Sequence, residues 1–150
     1  MVFTAILFAL STASFAQKEN EKKEEKKESS KKLNVPAAVK AALANKYPEA
    51  TKVTWEKEKG NYEANWGGKS GEDNSVQFTP AGEFIEIVKA MPVSQLPPAV
   101  LAYVKAHYNG AKITEAGKVT DAKGKTTYEA EVNRKDVIFD EKGSFVKEEN

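Results

Sequence analysis

The side chains that could do chemistry are few in kind and scattered along this 150-residue sequence. There is one histidine, His107, and no cysteine, which excludes thiol catalysis, zinc–thiolate sites, disulfides and lipid attachment through a thiol. His107 sits in a run that also carries core-spaced residues and has no identifiable partner, so it reads as a packing or surface residue. Gly68-Lys69-Ser70 resembles the tail of a phosphate-binding loop, but Glu63 stands where the earlier glycine is required and a strand pattern follows in place of a helix. That stretch reads as a hairpin loop. Glu72-Asp73-Asn74 lacks the oxygen-ligand spacing of a calcium loop and reads as a solvated turn. Serine and aspartate are plentiful, yet no nucleophile-elbow pattern joins them. The expectation is no catalytic residue, no cofactor, no metal site, and no enzyme.

What remains is a set of acids and amides at alternate positions of strand-like runs. Thr54 and Glu56 alternate with Val53 and Trp55, Glu63 and Asn65 with Tyr62 and Ala64, and Glu129 and Glu131 with Tyr128 and Ala130. Alternation sends such sets to opposite faces of a sheet. An antiparallel sheet tolerates one wet face, so these acids, with Gln77, are expected on a broad, open, slightly acidic surface where substitution leaves the fold intact. Trp66 ends a strand against Gly67-Gly68 and is expected to be partly exposed, as an interface anchor is. The candidate partner contacts are therefore Glu56, Glu63, Asn65, Trp66, Gln77, Glu129 and Glu131. Trp55, Tyr62, Phe78, Phe139 and Phe145 read as core.

The elements that must position these residues are written twice. Residues 35–86 follow one plan and residues 96–147 repeat it: an apolar residue and proline, a short alanine-rich helix closing on tyrosine, then four strand-like runs. Val35-Pro36-Ala37-Ala38-Val39 answers Leu96-Pro97-Pro98-Ala99-Val100, Tyr47 answers Tyr108, and Tyr62-Glu63-Ala64 answers Tyr128-Glu129-Ala130. The first helix is expected from Val35, with Asn34 as N-cap and Pro36 in the first turn. Its apolar face is Val39, Ala42, Leu43 and Tyr47; the second helix offers Val100, Tyr103, Val104 and His107 or Tyr108. Turn residues Lys59-Gly60-Asn61, Pro80-Ala81-Gly82, residues 133–135 and residues 140–143 separate the strands. A repeat of this size alone would bury only about 60% of its surface, so the two are expected to share a sheet or a core.

Ahead of the repeats, residues 1–16 form an apolar run ending Ser14-Phe15-Ala16, the pattern of a signal peptide cleaved before Gln17, and the run is too short to span a bilayer. Residues 17–32 are nearly all Lys, Glu and Ser and read as a disordered, charged linker. With 23 Lys and Arg against 22 Asp and Glu, the net charge of +1 gives no electrostatic reason to expect nucleic acid.

The tandem plan, the Tyr47-Pro48 helix ending, Val53-Thr54-Trp55-Glu56 followed by Tyr62-Glu63-Ala64, and the turns Phe78-Thr79-Pro80-Ala81-Gly82 and Phe139-Asp140-Glu141-Lys142-Gly143 resemble the PepSY-like proteins. That family is similar to the beta-lactamase inhibitor proteins and is common among small exported bacterial proteins. The resemblance runs from Leu33 to the C-terminus and implies a fold more than an activity; it carries no catalytic residues onto this chain. The fold class expected is α+β: two tandem helix-plus-four-strand repeats, 33–90 and 94–150, forming one continuous antiparallel sheet with both helices on one face. The function expected is a periplasmic or secreted, non-enzymatic binding module, monomeric, without a membrane span after signal cleavage. It takes a protein or peptide partner on its open sheet face and inhibits a peptidase or another envelope enzyme. The alternative is an envelope-associated structural protein without inhibitory activity.

Overall fold

The computed structural model describes residues 33–149; the expected signal peptide, 1–16, and the expected linker, 17–32, lie outside them. Helix α1 (Ala37–Lys46) leads into strands β1 (Thr54–Glu58), β2 (Asn61–Trp66), β3 (Asn74–Phe78) and β4 (Phe84–Ala90). A single 3₁₀ turn, Val93–Gln95, precedes helix α2 (Pro98–His107) and strands β5 (Ile113–Asp121), β6 (Thr126–Val132), β7 (Lys135–Asp140) and β8 (Phe145–Glu149). All eight strands form one antiparallel sheet in chain order, and β4 pairs with β5 to join the repeats, Val88 lying opposite Val119.

The helices start later than the sequence suggests. Pro36 and Pro97 occupy the cap positions with extended ψ of 146° and 138°, and neither helix has a side-chain cap hydrogen bond. Asn34 is thus not the cap. The Pro36 carbonyl accepts from Val39 N and Lys40 N at 3.1 and 3.2 Å, so the proline ends the extended lead-in and opens the helical ladder itself. Both helices close on tyrosine, with Tyr47 N donating to Leu43 O at 2.8 Å and Tyr108 N to Val104 O at 2.9 Å.

Two turns per repeat set the strand geometry. Lys59 and Gly60, with φ of 48° and 85°, and Asn133 and Arg134, with φ of 54° and 64°, are two-residue hairpin loops with positive φ at both positions, the hand that matches strand twist. Gly82 and Gly143, at φ of 85° and 84°, bend the chain from β3 to β4 and from β7 to β8 beneath the helix starts. An added Cβ on Gly82 would lie 2.7 Å from Ala38 O, and one on Gly143 would lie 3.0 Å from Ala99 Cβ and 3.1 Å from Pro97 Cβ. Glycine is required there both by dihedral and by space.

The repeats share the sheet, but each has its own core. Val39 and Leu43 of α1 pack on Tyr62, Ala64, Trp66, Val76, Phe78 and Ile87, whereas Val100 and Val104 of α2 pack on Ala116, Ala130, Val132, Val137 and Phe139. Phe145 departs from its expected core role: it is 42% exposed, because β8 is the outermost strand of the sheet and only one face of the ring is covered, by Tyr103 stacked at 4.9 Å. Tyr62, Phe78 and Phe139 are buried as expected, and Trp55 packs half-buried at the margin.

Candidate functional site: an acidic sheet face

Alternation assigns every strand residue to the helix-covered face or the opposite one, and the register aligns the opposite-face residues into rows. One row crosses five strands as Glu56, Glu63, Gln77, Glu86 and Asp121, each directly opposite the next. Another crosses four as Glu115, Glu131, Asp136 and Glu149. Between them Glu129 lies opposite Gly117 and Ile138, and Ile138 opposite Lys147. Like charges placed directly opposite one another destabilise a sheet, so these rows oppose folding instead of supporting it.

The face is concave. A flat eight-stranded sheet would set its outer strands about 33 Å apart, at about 4.8 Å per strand. Here Glu58 of β1 and Lys147 and Glu149 of β8 line one cavity of about 380 Å³, together with Gln77, Glu86, Val119, Glu129 and Ile138 from the strands between. Register shifts at Gln77/Phe78, Ile113/Glu115 and Ile138/Phe139 insert single extra residues that bend the strands.

Curvature overturns the expectation of a uniformly wet face. Glu63, Asn65 and Glu129 are buried, at 3%, 5% and 4% exposure, because side chains on the inside of a curved sheet crowd together. Of the expected contacts on this face, Glu56 is exposed, Gln77 and Glu131 are half-buried, and all belong to the same surface. Trp66 does not belong to it. Its side chain lies on the helix-covered face, 5% exposed, with its ring 5.4 Å from that of Tyr47, because it shares the alternation of Tyr62 and Ala64.

The buried acids divide into two groups. Near β1–β3, Asn65 Nδ2 donates to Glu63 Oε1 at 3.1 Å, and Gln77 Nε2 donates to Glu58 Oε2 at 3.0 Å and to Glu63 Oε2 at 3.3 Å. Burial, and then the Glu63 charge, push Glu58 up to about 7. Near β6–β8, burial and then Asp136, Glu86 and Glu149 push Glu129 up to about 8. Asp136 rises to about 6 through burial and the Glu131 charge, although the hydrogen bond from Glu129 opposes that rise. Burial also raises Glu56, Glu86 and Glu115, each with neighbouring acids adding to it. Lys59 opposes the rise of Glu58 and Lys147 that of Glu86, while Lys147 is paired with Glu149 at 2.5 Å. Buried carboxylate oxygens of Glu58, Glu115 and Glu129 have no hydrogen-bond partner.

Glu58, Glu86, Glu115, Asp136 and Glu149 were not among the expected contacts. Glu58 continues the alternation of Glu56 by one step, and that was the available signal; the others depend on cross-strand register. His107 is exposed, stacked on Tyr103 at 3.9 Å with Nδ1 2.9 Å from Tyr103 O. Residues 67–73 form the loop between β2 and β3, with Asp73 N donating to Gly67 O at 3.3 Å. Among the described residues no group of three His, Cys, Asp or Glu could hold a metal ion, and no helix is long and apolar enough to cross a membrane.

Comparison with known proteins supplies the frame for this geometry. The family profile described as "Putative beta-lactamase-inhibitor-like, PepSY-like" matches residues 2–85 and 65–147, one match for each repeat. A Bacteroides eggerthii protein described as "putative periplasmic" is similar in structure with a TM-score of 0.67 at 22% identity, over 79% of this chain and 90% of its own. A DUF2874 family protein from Bacteroides uniformis has a TM-score of 0.65 at 25% identity, over 77% and 88%. A BLIP-like protein from Bacteroides fragilis has a TM-score of 0.63 at 24% identity, over 81% and 90%. No curated protein matches the chain.

Proposed function

This chain belongs to the PepSY-like, beta-lactamase-inhibitor-like family, and from that premise we propose that it is an exported, non-enzymatic module that binds a protein or peptide on its concave sheet face. One observation carries the reading: the two repeats together build a single acid-lined cavity that neither strand set forms alone. Rows of facing carboxylates oppose folding, and a cost of that kind persists where a partner offsets it. The face is broad, polar at its rim and continuous with exposed Glu56, features of a surface for macromolecules more than of an enclosed small-molecule site.

The apolar run before Gln17 supports export to the periplasm or beyond, as does the periplasmic description of the Bacteroides eggerthii protein. The family description supports inhibition as the consequence of binding, with a peptidase or another envelope enzyme as the target. The chain acts as a monomer, and the expected contacts that remain on the face, Glu56, Glu63, Asn65, Gln77, Glu129 and Glu131, belong to its binding surface.

The test uses residues 17–150 as bait in an envelope extract, beside the variant Glu56→Lys/Glu131→Lys. Glu56 is exposed and Glu131 half-buried, circular dichroism checks that the variant keeps its fold, and the expected result is that a protein retained by the parent is lost. Equal retention by parent and variant rejects the face as the binding surface. Retention without inhibition of the captured enzyme leaves the structural, non-inhibitory role.

A further inference from the structure

The centre of the concave face carries a specific deficit. Glu129 is 4% exposed, lines the 380 Å³ cavity, and its Oε1 has no hydrogen-bond partner. Glu58, on the far side of the same cavity, leaves its own Oε1 unpartnered as well. A buried polar atom without a partner costs about 1–3 kcal/mol, and more when charged. One oxygen of Glu129 shares a hydrogen bond with Asp136, but nothing reaches the other: the charged neighbours Asp136, Glu86 and Glu149 are all acids, and Lys147 is paired with Glu149. Across the cavity Glu58 lies near Glu63 and Glu56, with Gln77 donating to Glu58 and Glu63, Asn65 donating to Glu63, and Lys59 beside Glu58. Asp121 and Lys125 complete the wall from the β5–β6 turn.

We infer that this cavity is the receptor for one basic side chain, an arginine guanidinium or lysine ammonium, presented by the partner. This rests on the reading of the concave face as the binding surface. Two features favour a basic side chain over a bare metal ion. The carboxylates stand on separate walls, with no group of three that could hold a metal among the described residues, whereas a guanidinium carries several N–H donors on one rigid fork. The wall between them is apolar, with Val119, Ile138 and Val146 lining the cavity, which suits the aliphatic stem of a long cationic side chain. At about 380 Å³ the cavity is at the small end of the ligand range of about 300–1,000 Å³, enough for one or two side chains.

Entry of a cation displaces protons. Burial and neighbouring acids hold Glu129 at about 8 and Glu58 at about 7, so both are partly protonated in the empty cavity at neutral pH. A cation favours their ionised forms, so binding releases protons and tightens as pH rises.

The experiment titrates the isotope-labelled chain with a capped pentapeptide holding one central arginine among alanines, and with the same peptide carrying neutral citrulline. Amide shifts of Val119, Thr127 and Ile138 report on the cavity. The expected result is saturable shifts with the arginine peptide that are at least about tenfold weaker with citrulline, a difference of about 1.4 kcal/mol. Affinity rises between pH 6 and pH 8.5, and Glu129→Gln removes the arginine preference. Glu58→Gln, at a half-buried position, serves as the second variant if the first alters the spectrum globally. Equal binding of the citrulline peptide overturns the cation inference, as does an arginine peptide displaced by calcium chloride with calcium giving the same saturable shifts. Loss of bait retention in Glu56→Lys/Glu131→Lys without arginine selectivity rejects the cation and keeps the binding face; retention unchanged rejects both.

Discussion

Glu129 sets stability against chemistry. Its carboxyl is buried among acids and is pushed up to about 8, while Glu58 and Asp136 are raised to about 7 and about 6. In the unfolded chain such groups titrate near 4, so between about pH 4 and pH 8 the folded protein holds more protons than the unfolded one. Stability is therefore greatest at the acidic end of that window and is lost as pH rises through the folded values. Glu148 and Asp140 act in the opposite sense, being lowered by the Lys135 hydrogen bond and by the Ser144 backbone, so their contribution disappears only below the usual carboxylate range. Thermal unfolding is expected to show a higher Tm at pH 5.5 than at pH 8.5. Glu129→Gln removes an ionisable group without changing shape, and is expected to raise the Tm at pH 8.5 by roughly 5–10 °C, on the order of 1–3 kcal/mol, with little effect at pH 5.5. A variant whose Tm is unchanged at pH 8.5 contradicts the assignment of Glu129 as a buried, crowded acid.

Helix–turn contacts repeat at the element scale, and they show what the sequence made legible. In both repeats the turn after the third strand closes with the same hydrogen bonds: Gly82 N donates to Thr79 O at 2.8 Å and Gly143 N to Asp140 O at 2.9 Å. Each glycine lies under the start of a helix, but against different atoms. Gly82→Ala drives a methyl group to 2.7 Å from the Ala38 carbonyl oxygen, whereas Gly143→Ala meets Ala99 Cβ and Pro97 Cβ at the less severe distances of 3.0 and 3.1 Å, which open only if the helix start shifts slightly. Urea unfolding is expected to show Gly82→Ala costing about 2–4 kcal/mol and Gly143→Ala about 1–3 kcal/mol, each including the positive φ. Equal stability of either variant with the parent contradicts the close approach. The helix–strand order, the glycine turns and most of the helix-facing residues could be read from local pattern, because period and turn chemistry are properties of neighbouring residues. Curvature could not. It arises from the extra residues Thr114, Ile85 and Val146 and from pairing between distant strands, so alternation placed Glu63 and Glu129 on the correct face without revealing that the face closes over them. Trp66 was misread for a related reason: its neighbouring glycines suggested exposure, while its parity with Ala64 placed it under α1 beside Tyr47.

Residues 33–149 form two cores on one sheet, and the proposed binding surface depends on the pairing of β4 with β5. Both repeats supply its acids, Glu58 and Glu86 from the first and Asp121, Glu129 and Glu149 from the second, and the curved seam brings them to one cavity. The helices, by contrast, cover the other face and carry their exposed residues away from it. The central claim is that a partner docks on the concave side. Carbodiimide labelling of carboxylates, read by mass spectrometry with and without the captured partner, tests it most directly. The account predicts that labelling of Glu56, Glu86, Glu131 and Glu149 falls on binding, while Glu49, Glu83 and Glu141, which lie outside the opposite-face rows, label as before. Unchanged labelling of the first set together with protection of Glu49, Glu83 or Glu141 would contradict it.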